Sequence, residues 1–192
     1  MNQFRIEDDF LSTENFEELR YYMGLGDHDE HGGRPEFAWI FNEHPTWTTN
    51  DDRYKKTDPG KDVMQFSHVC YMNHNVRSNF FDRLWSIMEK LNPISIWRIK
   101  ANLIPRTNTI TNTGWHLDIG NLENSPEKLG QWTNSIFYIN TCNGYTKFED
   151  GRTVESVANR LLTFPSDITH TGTSCTDEKA RIVINFNYFS SR

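Results

Sequence analysis

The chain has 192 residues, of which 36% are hydrophobic and 14% aromatic, and its formal net charge is -6 at pH 7. This length suits one domain, 1–192, with a sizeable core. The acidic balance and the lack of a Lys/Arg run argue against a partner such as duplex nucleic acid or an anionic membrane. The sequence has no stretch of roughly 18 apolar residues, and its three cysteines lack CxxC spacing. A cytoplasmic protein is expected.

Helical signals lie in the first half of the chain. The segment "LSTENFEELRYYMG" has a capping residue at Ser12 or Thr13, apolar residues at helical spacing, and a stop at Gly24. The segment "NVRSNFFDRLWSIMEKL" places apolar residues from Val76 to Leu91 on one face and ends before a proline. Both segments are predicted to be helices.

The region 24–60 is rich in Gly, Pro, Asp, Asn and His, and is predicted to form loops around one short strand in "EFAWIFN". Within it, "GDHDEHGGRP" resembles a cluster of metal ligands. Because glycines flank this run and no element directs its side chains, a solvated acidic loop is the favoured interpretation. Such a loop could still border an active site as a lid.

After Pro93 the hydrophobic period changes from helical to two. The runs "ISIWRIKANLI", "SIFYIN", "NRLLTF" and "ARIVINFNYF" are β-branched or aromatic and are separated by turn residues, including a predicted hairpin turn at "FEDG". Consecutive strands without helices between them favour an antiparallel sandwich or jelly roll. We therefore predict a mainly β protein in which a helical and irregular part, 1–92, packs on core strands in 93–192.

The segment "TNTGWHLDIG" carries His116 and Asp118 two residues apart. In an extended strand, residues i and i+2 project to the same face, so both side chains could converge on one point. His170, in "TFPSDITHTG", could add a third ligand. Two histidines and one carboxylate form the facial triad that holds non-haem Fe(II). The alternative is a simple His116–Asp118 hydrogen bond with His170 in an unrelated loop.

Arg181 begins the strand "RIVINFNYF", which contains no acidic residue. If the chain turns back after His170, Arg181 begins the neighbouring strand and faces the same interior. A buried guanidinium needs a partner and matches a carboxylate bidentately, so it could clamp a dicarboxylate that chelates iron at its other end. The alternative is an Arg181 that faces solvent.

These motifs together resemble a known family. "HLD", "FYIN", "NGYTKFEDG", "LLTFPSDITHTG" and "RIVINFNYF", in this order, resemble the Fe(II)- and 2-oxoglutarate-dependent dioxygenases of the prolyl-4-hydroxylase-like branch. The N-terminal segments "FRIEDDFLSTENFEELRYYM" and "WRIKANLIPRT" resemble the small oxygenases of marine tailed phages and cyanophages, so the resemblance spans nearly the whole chain. For a phage-encoded protein the expected location is the host cytoplasm.

The resemblance implies a fold and a set of site residues. The fold is a double-stranded β-helix, a cupin-like jelly roll, buttressed by two or more helices. The implied roles are iron ligation by His116, Asp118 and His170, a salt bridge from Arg181 to the distal carboxylate of 2-oxoglutarate, cosubstrate contacts from Tyr138, Thr146 and Asn185, and a position in the substrate channel for Asn187.

The resemblance also implies a reaction. Fe(II), 2-oxoglutarate and O2 would be used to hydroxylate an unactivated C–H bond, with succinate and CO2 as products. The substrate would be a peptidyl residue such as proline, or a free small molecule. Asp118 favours hydroxylation over halogenation, because related halogenases lack this carboxylate. Asn187 stands where nucleic-acid demethylases have a second Arg, and Ile104 stands where many prolyl hydroxylases have Tyr.

Two other classes of function remain open from the sequence. A hydrolase could use Zn in the same triad, although Arg181 would then have no task. A non-catalytic jelly-roll binding module would require an accidental match of the triad and Arg181. Substrate specificity is expected to reside in 24–60 and in the loop "GNLENSPEKLGQ". Neither segment has a readable substrate code, and no pattern indicates an oligomeric state.

Overall fold

The computed structural model describes residues 4–25, 37–43, 63–120 and 125–190. Its helical segments are α1 (Thr13–Tyr22), a 3-10 helix (Asn79–Leu84) that runs directly into α2 (Trp85–Leu91), and the short α3 (Pro126–Leu129). Its strands are β1 (Arg5–Glu7), β2 (Ile40–Asn42), β3 (Gln65–Met72), β4 (Asn75–Val76), β5 (Pro93–Pro105), β6 (Thr133–Tyr138), β7 (Cys142–Phe148), β8 (Thr153–Ser156), β9 (Arg160–Pro165), β10 (His170–Gly172) and β11 (Ala180–Ser190).

The strands form two antiparallel sheets. The major sheet has the order β1-β9-β6-β11-β5-β3-β2, with β4 paired to β3, and the minor sheet has the order β10-β7-β8. The sheets pack through an apolar cluster to which β6, β9 and β11 contribute from one side and β7 and β8 from the other. The predicted mainly β architecture with helices on one face is thus confirmed.

Alternation along the central strands separates two environments. In β11, Ile182, Ile184 and Phe186 join a core cluster that also contains Phe16 and Leu19 of α1. The intervening residues face the space between the sheets. Because side chains alternate across a pleated strand, one sequence run supplies both an apolar face for the helices and a polar face for a site. The residues that face the cavity are polar except for Val183 and Ile104: Arg181, Val183 and Asn185 of β11, and Arg98, Lys100, Asn102 and Ile104 of β5.

The first helix begins and ends as its sequence predicts. The hydroxyl of Ser12 accepts a hydrogen bond from the Asn15 amide at 3.3 Å, which satisfies one of the free N–H groups of the first turn. Phe16 and Leu19 are buried against the sheet. The chain leaves the helix through Gly24, whose φ of +77° is readily adopted by glycine.

The second helix starts later than predicted. Asn75 and Val76 form the short strand β4, which folds back on β3 through two residues with positive φ. Val76 is therefore 54% exposed and not part of a helical face. Helical structure begins only after Ser78, whose hydroxyl accepts a hydrogen bond from the Phe80 amide at 3.1 Å. The turn between β3 and β4 therefore places Val76 in a strand, although its spacing to the later apolar residues is helical.

The irregular N-terminal region is described only in part. β2 coincides with the short strand predicted in "EFAWIFN", and the "FEDG" hairpin turn is confirmed between β7 and β8 by the hydrogen bond from Gly151 to the Phe148 carbonyl. His28, Asp29, Glu30 and His31 lie outside the described residues. No helix in the described ranges has the length and apolarity needed to cross a bilayer.

Candidate active site

His116 and His170 come from two different parts of the chain that meet in one isolated β-bridge. The segment 111–120 is not the regular strand that the sequence suggested, but it contacts the minor sheet through the bridges Asn112–Thr173 and His116–His170. The two imidazole rings lie 4.6 Å apart between centroids. The backbone therefore brings the two histidines together before any ligand is considered.

Asp118 completes the group. The Nε2 atom of His116 lies 3.9 Å from Oδ1 of Asp118, and the Nε2 atom of His170 lies 3.6 Å from its Oδ2. One ligand atom from each residue can be chosen so that all three lie within 4.8 Å of one another. The structure thus brings together the three predicted metal ligands.

The hydrogen bonds of both rings suit metal binding. The Nδ1 atoms contact backbone carbonyls, that of His116 with Gly114 at 2.9 Å and that of His170 with Ile168 at 3.2 Å. Because a carbonyl can only accept, each Nδ1 carries a proton, and Nε2 is the atom of each ring that faces the carboxylate and can bind a metal. Two imidazole Nε2 atoms and a carboxylate that face one another are the donor set of a cation site.

The electrostatic environment holds these groups in their ligand forms. Burial, followed by the proximity of His170, lowers the pKa of His116 to about 4. Burial alone raises the pKa of Asp118, but His170 and the Arg98 guanidinium outweigh it and hold that pKa well below its usual range. A neutral His116 and an ionised Asp118 are ready to bind a metal without losing protons first.

Arg98 and Asn187 hold the Asp118 carboxylate. Arg98 donates to Oδ1 from Nη2 at 3.0 Å, and Asn187 donates to Oδ2 from Nδ2 at 3.1 Å. Arg98 Nε also donates to Oδ1 of Asn187 at 3.1 Å. Asn187 is fully buried, so it does not face a substrate channel as the resemblance implied. It positions the carboxylate instead.

Sequence reasoning overlooked Arg98, although a signal was present. In "WRIKANLI" the alternate residues Arg98, Lys100 and Asn102 are polar, whereas Ile99 and Ala101 are apolar. The apolar set faces the helices, so the polar set had to face the interior of the barrel. A row of polar residues on the inner face of a barrel strand indicates a site.

Arg181 occupies a second polar region of the same interior and is 2% exposed. Its Nε donates to the Ser156 hydroxyl at 2.7 Å and its Nη2 to the Thr146 hydroxyl at 2.9 Å. No acidic side chain in the described ranges forms a salt bridge with it. A buried guanidinium with only hydroxyl partners is well suited to an anionic ligand.

Two glycines make room for this guanidinium. A Cβ at Gly144 would lie 2.7 Å from Cδ of Arg181 and 2.7 Å from the Ser174 carbonyl oxygen. A Cβ at Gly172 would lie 3.2 Å from Nη1 of Arg181. A side chain at either position would displace Arg181. We call the space that Gly144 of β7 and Gly172 of β10 leave for the guanidinium the Arg181 cradle.

The residues expected to contact a cosubstrate fall into two groups. Thr146 and Asn185 line the cavity. Tyr138 is fully buried, and its hydroxyl lies 2.8 Å from that of Thr146, so it supports Thr146 and Arg181 from within the wall. Asn185 is 8% exposed, and its Oδ1 atom has no hydrogen-bond partner. An orphaned buried acceptor beside a cavity is costly unless a ligand satisfies it.

His170 and Arg181 do not lie on neighbouring strands, contrary to the sequence-based prediction. β10 pairs with β7 in the minor sheet, whereas β11 pairs with β5 and β6 in the major sheet. Their side chains still meet one cavity of about 470 Å³, because the two sheets pack face to face. His170 and Arg181 therefore line the same cavity, as predicted, but from two opposing sheets and not from two strands of one hairpin.

A second cluster of ligand-type residues, Cys142, Cys175 and Asp177, has different properties. All three cysteines of the chain are free and buried. Burial raises the pKa of Cys175 to about 11, which keeps its thiol protonated. Both oxygens of Asp177 accept from the Asn143 amide at 3.0 Å. A protonated Cys175 thiol and an Asp177 carboxylate that is already bound to a backbone amide do not favour a thiolate metal site.

Comparisons with known proteins agree with the fold. No protein-family model matches the chain, and no curated protein matches it significantly. A prolyl hydroxylase from Trichoplax adhaerens, solved with a hypoxia inducible factor peptide fragment, is 16% identical with a TM-score of 0.58 over 99% of this chain and 84% of its own. A Pseudomonas putida prolyl-4-hydroxylase is 12% identical with a TM-score of 0.50 over 100% and 94%. The chain therefore has the fold of prolyl hydroxylases.

Proposed function

We propose that this protein is an Fe(II)- and 2-oxoglutarate-dependent dioxygenase that hydroxylates an unactivated C–H bond with O2 and forms succinate and CO2. The observation that carries the proposal is that one cavity joins the His116–Asp118–His170 group to a buried Arg181 with no acidic partner among the described residues. A metal site and an anion site in one cavity suit a chelating dicarboxylate.

The three ligands fit Fe(II). Two neutral imidazoles and one carboxylate match the facial triad of non-haem iron oxygenases and leave coordination positions open. Bound Fe(II) would supply the redox chemistry that activates O2 for oxidation of cosubstrate and substrate. His170 is packed against the rings of Phe148 and Phe164, with centroids at 6.2 and 4.9 Å, which excludes water from one side of the site.

Arg181 would bind the distal carboxylate of 2-oxoglutarate. Thr146 and Ser156 fix the guanidinium, and Tyr138 holds Thr146. Because Arg181 is almost fully buried, the carboxylate would be bound in a low dielectric, where a charge-assisted pair is strong. Ile104 lines the cavity near this position, so the contact that a Tyr makes in many prolyl hydroxylases would be apolar here.

The proposed acceptor is a peptidyl residue such as proline. In support, the fold extends over nearly the whole length of prolyl hydroxylases, one of which was solved with a peptide fragment. A free small molecule is the other candidate, and turnover of peptides against the corresponding free amino acids separates the two. A Zn hydrolase is less well supported, because hydrolysis assigns no role to Arg181.

The test is visible absorption after Fe(II) and then 2-oxoglutarate are added to the protein without oxygen. Wild type is expected to develop a metal-to-cosubstrate charge-transfer band. The band should be absent in His116→Ala. Arg181→Met should need about 100-fold more 2-oxoglutarate, since truncation of one partner of a buried charge pair costs roughly 2–5 kcal/mol. Arg106→Met, an exposed arginine outside the cavity, is the matched control.

The outcome that contradicts the proposal is a folded, metal-loaded wild type without the band. Equal 2-oxoglutarate requirements in Arg181→Met and Arg106→Met would remove the role of Arg181. Formation of succinate in the presence of O2, measured beside the band, then connects cosubstrate binding to oxidation.

A further inference from the structure

Lys100 is a charged residue of the cavity to which the proposed iron and 2-oxoglutarate chemistry assigns no role. It lies on β5 between Arg98 and Asn102 and shares their inward face. Burial lowers its pKa to about 8, with the nearby Arg98 as a smaller cause. At neutral pH its ammonium group is therefore still charged.

This ammonium group has no partner in the described part of the chain. No salt bridge or hydrogen bond of its side chain is formed with residues in 4–25, 37–43, 63–120 or 125–190. The Asp118 carboxylate is close enough to raise the pKa of Lys100, but its hydrogen bonds are formed with Arg98 and Asn187. Lys100 is partly buried, and a partly desolvated ammonium group without a partner among the described residues is costly for the free protein. An anionic ligand at this position would offset that cost.

The net charge of the cavity also favours an anionic ligand. The described residues that line it include three cations, Arg98, Lys100 and Arg181, and one carboxylate, Asp118. With both imidazoles neutral as ligands, two positive charges are in excess. A divalent metal and the 2-oxoglutarate dianion cancel each other, so this excess persists when both are bound. Arg98 pairs with Asp118 and Arg181 is assigned to the cosubstrate, which leaves Lys100.

The position of Lys100 separates it from the Arg181 region. Lys100 lies opposite Asn185 in the β5–β11 ladder, whereas Arg181 lies opposite Ile104. Lys100 and Ile104 are four residues apart on β5, which corresponds to about 13 Å along the strand. Lys100 and Arg98 are two residues apart, which corresponds to about 7 Å. Arg181 is 2% exposed, whereas the Arg98 side chain is 19% exposed. Lys100 is thus nearer to the accessible end of the cavity.

A second unsatisfied group lies beside Lys100. The Oδ1 atom of Asn185, its partner across the ladder, is buried and lacks a hydrogen-bond donor. A ligand that satisfies both residues must present an anion to Lys100 and an N–H group to Asn185. 2-Oxoglutarate carries no N–H, whereas amino acids and peptides carry both groups.

We propose that the substrate oxidised in this cavity carries a carboxylate, which Lys100 binds next to the metal site. The inference rests on the proposed function and narrows its substrate to carboxylate-bearing amino acids and peptides. For a peptide, the carboxylate belongs to an acidic side chain or a C-terminus close to the oxidised residue.

The test compares each acid with its own amide. N-Acetylglycylproline against its C-terminal amide, and N-acetylglutamic acid α-amide against N-acetylglutamine α-amide, are titrated by calorimetry into protein loaded with Mn(II) and 2-oxoglutarate without oxygen. Every ligand has an N–H group for Asn185, and only the acid of each pair has a carboxylate. Wild type is expected to bind at least one acid about 10-fold more tightly than its amide, a difference of roughly 1.4 kcal/mol. Lys100→Met should reduce this preference to within about 2-fold. Lys179→Met, an exposed lysine outside the cavity, should retain it.

Two results would overturn the inference. One is that no acid is preferred over its amide in wild type, or that Lys100→Met keeps the preference. The other is that Lys100→Met weakens 2-oxoglutarate binding as much as Arg181→Met does, which would assign Lys100 to the cosubstrate. The same titrations on metal-free protein without 2-oxoglutarate separate this question from the proposed function. If metal-free wild type prefers the acid and Lys100→Met does not, the carboxylate site is supported even when no charge-transfer band forms.

Discussion

The backbones of His116 and His170 are joined by two reciprocal hydrogen bonds. The amide of His116 donates to the carbonyl of His170 at 3.0 Å, and the amide of His170 donates back at 3.1 Å. This bridge connects the irregular segment 111–120 to the first residue of β10. The spacing of the two imidazoles is therefore set by the backbone, and a bound metal would in turn hold the segment on the minor sheet.

Metal binding is expected to stabilise the fold. A ligand that binds only the folded state at 100 times its Kd adds about 2.7 kcal/mol to the free energy of unfolding. Thermal unfolding of wild type with Mn(II) should show this rise, together with slower hydrogen exchange at the amides of His116 and His170. Both effects should be lost in His170→Ala. His74→Asn, in an exposed turn, is the control, and an equal stabilisation of His170→Ala would contradict the assigned ligand set.

Arg98 is expected to act through Asp118. Arg98→Met removes the hydrogen bonds to Oδ1 of Asp118 and to Asn187, so the carboxylate loses its orientation. Metal affinity should fall about 10- to 100-fold, as is typical for groups that orient metal ligands. At saturating metal, the Kd for 2-oxoglutarate should stay near the wild-type value, because Arg181 is unaffected. Metal titration followed by cosubstrate titration separates the two effects, and unchanged metal affinity would rule out this positioning role.

Gly144 is expected to be required for cosubstrate binding. In Gly144→Ala the new methyl group meets Cδ of Arg181 and the backbone oxygen of Ser174, both at 2.7 Å. Because the backbone cannot yield cheaply, Arg181 should shift and 2-oxoglutarate affinity should fall about 10-fold or more, with a loss of about 1–3 kcal/mol of stability. Absorption titration and thermal unfolding measure the two effects.

Gly130→Ala provides the matched substitution for Gly144→Ala. Its methyl group meets the side-chain end of Asp167 at 2.9 Å, which can rotate away, and its backbone is already helical. This variant should keep both stability and 2-oxoglutarate affinity. If the two alanine variants behave alike, the Arg181 cradle does not determine cosubstrate binding.

Lys100 is expected to make stability depend on pH. Its pKa is about 8 in the folded protein and about 10.5 in the unfolded chain. Between these values the unfolded chain holds a proton that the folded state has released, so the free energy of unfolding rises with pH. Below pH 8 both states are protonated and the full cost of the buried charge remains.

Lys100→Met should remove this cost. In metal-free protein at pH 7 the variant is expected to be more stable than wild type by about 3 kcal/mol at most, and this advantage should vanish as the pH approaches 10.5. Denaturant unfolding between pH 7 and 10.5 measures the difference. Lys179→Met should show no such trend, since its side chain is exposed. A pH-independent difference for Lys100→Met would show that the ammonium group is not desolvated.

Much of the site could be predicted from local patterns. The spacing of His116 and Asp118, the strand that contains Arg181, and the first helix with its Ser12 cap all depend on residues that are close in the chain. Strand periodicity also placed the C-terminal runs in an antiparallel β architecture. These features follow from side-chain alternation and capping, which act over a few residues.

Other features depend on contacts between distant segments. The β4 turn replaced the start of the predicted second helix, and 111–120 bridges β10 without forming a regular strand. His170 and Arg181 meet across two sheets, and Asn187 turns from a presumed channel toward Asp118. Periodicity shows which face a residue occupies, but not which residue lies opposite. Only the packing of the two sheets decides that, and with it the cavity in which Lys100 has no partner among the described residues.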